Sequence, residues 1–220
     1  MSTRSIAIFG GPGSGADAVQ SIAALAAAKA DIKIAGFLND ALPRGELVSG
    51  VPVLGPFASW CDLPDDVAFL APLHKPKAMP ERMRIVDELG VPPHRWATIV
   101  DPRSAVAQSA VLGRGCIVAP FAVVGPDTII GDHTVVRGGA YVSHDCKVGR
   151  FVFFGANAVA CGYCVVDDGA YISPSATIRD HCCVGKYAVV GLGSVATEDV
   201  PAFAVVAGAP ARPLTPKADD

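Results

Sequence analysis

A chain of 220 residues with a formal net charge of −3 has room for one large domain or two small ones, each able to bury a core. Hydrophobic residues make up 51% of it and charged residues 18%, which excludes a disordered polymer. The near balance of 18 Lys and Arg against 21 Asp and Glu, with no basic cluster, argues against nucleic acid as a partner, and no apolar run reaches the roughly 18 residues of a membrane span.

Residues 1–4 lead straight into a strand-like stretch without a secretory pattern, so a soluble cytoplasmic protein is expected. The apolar run at 5–9 predicts a buried strand, the glycines of 10–15 a turn, and the Ala-rich segment 16–29, with Val19, Ile22, Ala23 and Ala26, a helix. A second strand is predicted at 32–38, ending at Asn39-Asp40, and a third at 67–71. Pro80 sits where a first helical residue belongs and opens a helix over 81–89, which Gly90 closes. This βαβ…βα order favours a small parallel sheet, a Rossmann-like α/β domain over residues 1–100. The turn at Gly11-Pro12-Gly13-Ser14-Gly15 lacks the GxGxxG spacing of a dinucleotide fingerprint, so NAD is rejected.

Beyond Asp101-Pro102 the helical pattern vanishes and a six-residue period takes over. Every sixth residue from Val106 through Leu112, Val118 and Val124 to Ala196 is apolar, and the residue four further on is nearly always small. Six fits neither a 3.6-residue helix nor a plain meander, but suits a triangular coil with one hexad per side, the aliphatic residue inside and the small one at a tight corner. Residues eighteen apart then stack at about the 4.8 Å spacing of neighbouring strands. A parallel β-helix domain is predicted over 101–200, followed by a C-terminal cap and tail over 201–220. The chain has 7 cysteines, an odd number without a pair of CxxC motifs, so they read as reduced. Most of them, including Cys146, Cys164 and Cys182, fall at the small corner position, where packing explains them. His133 and His144 fall on different sides of the triangle, too far apart to share an ion, and no metal is expected.

Several stretches carry a resemblance in their order and spacing: residues 8–15, Gly36-Phe37-Leu38-Asn39-Asp40, residues 50–55, Asp101-Pro102-Arg103-Ser104-Ala105, Ser143-His144-Asp145-Cys146-Lys147-Val148-Gly149, Gly191-Leu192-Gly193-Ser194-Val195 and Gly208-Ala209-Pro210-Ala211. From about residue 6 to 212 the chain resembles the sialic acid O-acetyltransferase family, which includes nucleotide-aminosugar N-acetyltransferases of the bacillosamine and perosamine type. The resemblance implies a left-handed β-helix, transfer of an acetyl group from acetyl-CoA to an amine on a nucleotide-linked sugar, and a homotrimer with acetyl-CoA between neighbouring prisms. It implies His144 as general base, Asp145 as the acid orienting it, and Gly162, one coil on, as the backbone donor to the thioester oxygen. Acetyl-CoA would run past Phe153, Gly162, Pro174 and Leu192. Gly11, Pro12, Gly13, Ser14, Asn39 and Asp40 would hold the acceptor. Ser14 stands where the family usually has histidine, Asn39 replaces an acid, and Phe153 takes the place of a second histidine. O-acetylation of sialic acid or another small hydroxyl acceptor, or a non-catalytic β-helix binding protein, are the alternatives. A histidine on a prism face is by itself more often a solvated surface residue than a functional one.

Overall fold

Ile6, Ala7, Ile8 and Phe9 are wholly buried, so β1 (Arg4–Phe9) is covered on both faces, as a central parallel strand must be. The computed structural model, which describes residues 4–27 and 31–214, sets β1 inside a five-stranded sheet with β2 (Ile32–Leu38), β3 (Leu47–Val48), β4 (Val51–Gly55) and β5 (Val67–Leu70), in the order β3-β4-β2-β1-β5. All neighbours are parallel except β3 and β4, a hairpin closed by Ser49 (φ 52°) and Gly50 (φ 78°). That pair of positive φ values suits the right-handed twist of the strands.

Helix α1 (Ser14–Ala27) begins at Ser14, earlier than its Ala-rich pattern suggests, because the chain turns directly from the glycine loop into helical hydrogen bonding at Gly13 O. It buries Ala18, Val19, Ser21 and Ile22, a stripe at helical spacing. Helix α2 (Met79–Glu88) starts one residue before Pro80, which lies within its first turn, where a missing N–H leaves no bond unmade. Its buried Met79, Met83 and Val86 pack with Phe9, Phe69 and Phe151.

From residue 99 onward the chain winds as a left-handed parallel β-helix of two-residue strands. Each strand pairs with those eighteen residues away, as in Val123↔Tyr141 and Tyr141↔Val159. The first side stacks Ile99–Val100, Ile117–Val118, Val135–Val136, Phe153–Phe154, Tyr171–Ile172 and Val189–Val190, and is extended by Val205–Gly208 and the antiparallel Ala211–Pro213. The second side runs from Ala105–Val106 through Tyr141–Val142 to Val195–Ala196, the third from Val111–Leu112 through Lys147–Val148 to Cys183–Val184. The predicted inward residues are buried apart from Val106 and Leu112 in the first coil, which are partly covered. Corner residues recur in the left-handed region at six-residue intervals, among them Phe121, Asp127, His133, Asp145, Phe151, Asn157 and Tyr163, with glycine at 115, 139, 169 and 193.

The α/β layer lies on the first side. Ala18 and Ile22 of α1 share a core with the outward residues Ile117, Val135 and Phe153, and Asp17 pairs with Arg137 across the contact. The other two sides keep apolar residues uncovered in the single chain, with Tyr141 42%, Ile129 49% and Val111 57% exposed.

Candidate functional site

The turn from the second side to the third holds His144. Thr128 Oγ1 donates to Ser143 O at 2.5 Å and the Cys146 thiol to Cys161 O at 3.2 Å, fixing the backbone on either side of the turn. Asp145 has φ 56°, a conformation that aspartate tolerates better than most residues. From there its Oδ2 reaches His144 Nδ1 at 2.8 Å. The hydrogen-bond logic puts the proton on Nδ1, leaving Nε2 as an acceptor facing outward on a half-exposed ring.

Gly162 lies under that ring. A Cβ at 162 would stand 2.6 Å from His144 Cε1 and 2.7 Å from Nε2, so only glycine permits the ring to lie where it does. Among the described residues the Gly162 N–H has no backbone hydrogen-bond partner. Tyr163 meets the His144 ring edge-on at 5.1 Å and is itself stacked on His181 at 4.7 Å and 4°. His144, Asp145 and Gly162 are therefore together in one chain.

The remaining expected cofactor contacts are elsewhere. Only residues a multiple of eighteen apart share a corner, so Pro174 and Leu192 stack on each other between the first and second sides, with Gly193 N–H bonded to Pro174 O at 3.0 Å. Leu192 is exposed, 74%. Phe153, expected to line the acetyl-CoA path, is buried beneath the chain's own α/β layer, stacked on Tyr171 at 4.4 Å. Its outward direction on the first side is what places it in that intramolecular contact.

The acceptor residues are rearranged as well. In the sheet order, β2 lies on one flank of β1 and β5 on the other, so the topological switch point, where open α/β sheets bind ligands, falls between β1 and β5. A cavity of about 220 Å³ opens there, lined by Gly10, Gly11, Pro12, Gly15, Pro72, Leu73, His74, Lys75 and Arg82. Gly13 (φ 83°) takes a conformation that favours glycine and turns the loop into α1, whose first N–H groups add a site for anions beside Lys75 and Arg82. Ser14 opens the helix; its side chain lies outside the described residues. Asn39 and Asp40 brace the loops instead of lining this cavity: Asn39 Nδ2 donates to Gly10 O at 2.9 Å, Asn39 Oδ1 accepts from Ala41 and Leu42, and Asp40 Oδ1 accepts from Phe57 N–H at 2.7 Å. His74, Lys75 and Arg82 carry no sequence motif and were found only through the sheet order.

Two histidines at the junction are held neutral. Burial, and then the nearby charge of His133, push His74 down to about 3, and burial pushes His133 down to about 4. His133 is stacked on Phe151 at 4.5 Å and edge-on to Trp96 at 4.5 Å. Burial raises the Cys116 thiol to about 12, as suits a packing residue. Among the described residues no group of three or more His, Cys, Asp or Glu is placed to hold a metal ion, and no helix is long and apolar enough to cross a membrane.

No family model matches the sequence, and no curated protein does. Solved structures do. The acetyltransferase domain of PglB from Neisseria gonorrhoeae FA1090 is 27% identical, with a TM-score of 0.83 over 96% of this chain and 100% of that one. A structure of that domain in complex with acetyl coenzyme A matches at 26% identity and a TM-score of 0.83, over 96% and 99% of the two chains. WeeI from Acinetobacter baumannii AYE is 26% identical, TM-score 0.80, over 95% and 99%. PerB from Caulobacter crescentus, solved in complex with CoA and GDP-perosamine, is 23% identical, TM-score 0.81, over 96% and 97%; at that identity the likeness speaks to the fold alone. The two-part architecture is thus shared along nearly the whole chain with an acetyltransferase domain solved with acetyl coenzyme A.

Proposed function

We propose that the protein transfers the acetyl group of acetyl-CoA to an amine on a nucleotide-linked sugar, with His144 as the general base. The observation that carries this reading is the His144–Asp145 pair set over Gly162, on a fold coextensive with an acetyltransferase domain that binds acetyl coenzyme A. The acceptor amine attacks the thioester carbonyl while its proton passes to His144 Nε2. Asp145 holds the Nδ1 proton and steadies the imidazolium that forms. The carbonyl oxygen, now negative, takes a hydrogen bond from the Gly162 N–H. Collapse of the tetrahedral intermediate breaks the C–S bond, and the CoA sulfur leaves with the proton from the imidazolium. Gly162 thus serves twice, leaving room for the base and supplying the donor.

The acceptor's phosphates would lie on the glycine loop, the start of α1, Lys75 and Arg82. In a single chain that cavity is on the α/β layer covering the first side, while His144 lies at the corner of the other two. A site uniting them needs the base of one copy beside the loop of the next, which is why we assign a homotrimer paired through the uncovered second and third sides. Free thiols throughout fit a reducing compartment, the cytoplasm.

Incubation with acetyl-CoA and a panel of UDP-, GDP- and dTDP-linked aminosugars, sialic acid and serine, with thiol release as the readout, tests the reading. Release with an aminosugar nucleotide is the expected result. Release only with a hydroxyl acceptor would make the enzyme an O-acetyltransferase, and none with any acceptor would leave a binding protein.

A further inference from the structure

His74 stands between two cavities, the 220 Å³ one at the glycine loop and a small one of about 10 Å³ whose mainly apolar wall also carries Asp17, Ser21 and Arg137. Neither of its ring nitrogens has a hydrogen-bond partner, and both are shielded from solvent although the residue as a whole keeps some exposure. Its ring lies 5.7 Å from that of Phe153 and 6.3 Å from that of Phe151, an apolar backing beside the main chain of His133. A buried polar group without a partner destabilises the fold that holds it, so its presence asks for a reason. The small cavity has room for about one water, which cannot serve both nitrogens on opposite edges of an imidazole.

We infer that His74 is a specificity-determining residue that hydrogen-bonds the sugar of the acceptor, an inference resting on the nucleotide-aminosugar reading above. A neutral imidazole carries one N–H donor and one acceptor, the complement of a sugar hydroxyl or amine, which also gives one and takes one. The ring is neutral at physiological pH because burial holds it so. Lys75 and Arg82, on the same cavity, present positive charge suited to phosphates, leaving His74 as its neutral polar member. The segment carrying it is short of regular structure: Leu73 N–H bonds Ala71 O at 2.8 Å and Lys75 N–H meets Met79 Sδ at 3.3 Å. Because both nitrogens are shielded, binding the sugar through this ring requires a small shift of that segment.

The test is calorimetric titration of wild type, His74→Phe and His74→Gln with GDP-perosamine, a UDP-linked aminosugar, and bare GDP and UDP, alongside melting temperatures. In His74→Phe, affinity for the sugar-linked probe falls about tenfold, as loss of one buried hydrogen bond implies, while bare nucleotide binds as before and the melting temperature holds or rises. His74→Gln, which keeps a donor and an acceptor, recovers part of the affinity. Equal affinity of wild type and His74→Phe for the sugar-linked probe overturns the assignment, as does equal loss for bare nucleotide, or no binding of any probe by wild type. Wild-type protein that binds the probes through His74 but transfers no acetyl leaves the assignment standing and overturns the transferase reading.

Discussion

The ring of His144 is held by Asp145 on one edge and lies on a glycine one coil away, and both constraints are separable by substitution. His144→Ala removes the proposed base from a half-exposed corner outside the core, so kcat falls by about 10²–10⁴-fold while the melting temperature changes little. Normal thiol release from that variant would refute the role. Gly162→Ala places a methyl 2.6 Å from the ring, closer than van der Waals contact allows, and pushes it from its place, so kcat drops at nearly unchanged acetyl-CoA KM, measured by steady-state kinetics. The stacking of Gly162 on His144 was legible in the sequence because eighteen residues is a whole coil, whereas the roles proposed for His144 and Asp145 come from the family resemblance. Asn39 has a local role that its place in the sequence does not reveal: its carboxamide closes a turn with Ala41 and Leu42 and ties Gly10.

Along the prism, Leu112, Phe154, Ala160 and Ala196 depart from the Val and Ile pattern of the inward positions, and Phe154 and Ala160 do so side by side. Phe154 fills the first side, and Ala160, six residues on in the same coil, is the small partner that makes room; both are wholly buried. Ala160→Val overfills that layer and destabilises by about 1–3 kcal/mol, which a urea midpoint would register and Phe154→Leu in the same chain would relieve. The corner position also has a chemical preference that the word small conceals. The side chains of Cys116, Thr128, Thr134, Cys146 and Cys164 each donate to the carbonyl fifteen residues ahead. Thr134 in addition accepts from Val152 N–H at 3.1 Å. Thr134→Val keeps the volume and loses both bonds, an expected cost of about 1–3 kcal/mol by the same measurement. The sequence showed which positions are small but not why cysteine and threonine recur among them.

For the molecule as a whole, the junction between the α/β layer and the first side of the prism contains both neutral histidines. Unfolded, each takes up a proton below its ordinary value of 6.5; folded, His133 stays neutral to about 4 and His74 to about 3. The unfolded chain therefore binds more protons in that window, and stability, full above 6.5, drains as pH falls through it, by roughly 1.4 kcal/mol per pH unit for each histidine. His133→Phe, at a corner type that already accepts Phe121 and Phe151 at similar φ, flattens this dependence in melting curves between pH 7 and 5. The shared site is tested at the same scale. His144→Ala and Arg82→Ala chains, each inactive alone, regain transfer when co-expressed if base and acceptor pocket come from different copies, and native mass spectrometry reads a trimer.

Periodicity by itself determined the prism, its inward and corner residues and the stacking of Gly162 on His144, because a fixed repeat converts position in the chain directly into position in space. Strand order in the α/β sheet has no such periodic record. It is settled by which flank of β1 receives β5, and that choice moved the cavity away from Asn39 and Asp40 toward His74, Lys75 and Arg82. The docking of that layer on the first side likewise decided that Phe153 is buried within the chain, through packing between segments that no local pattern connects.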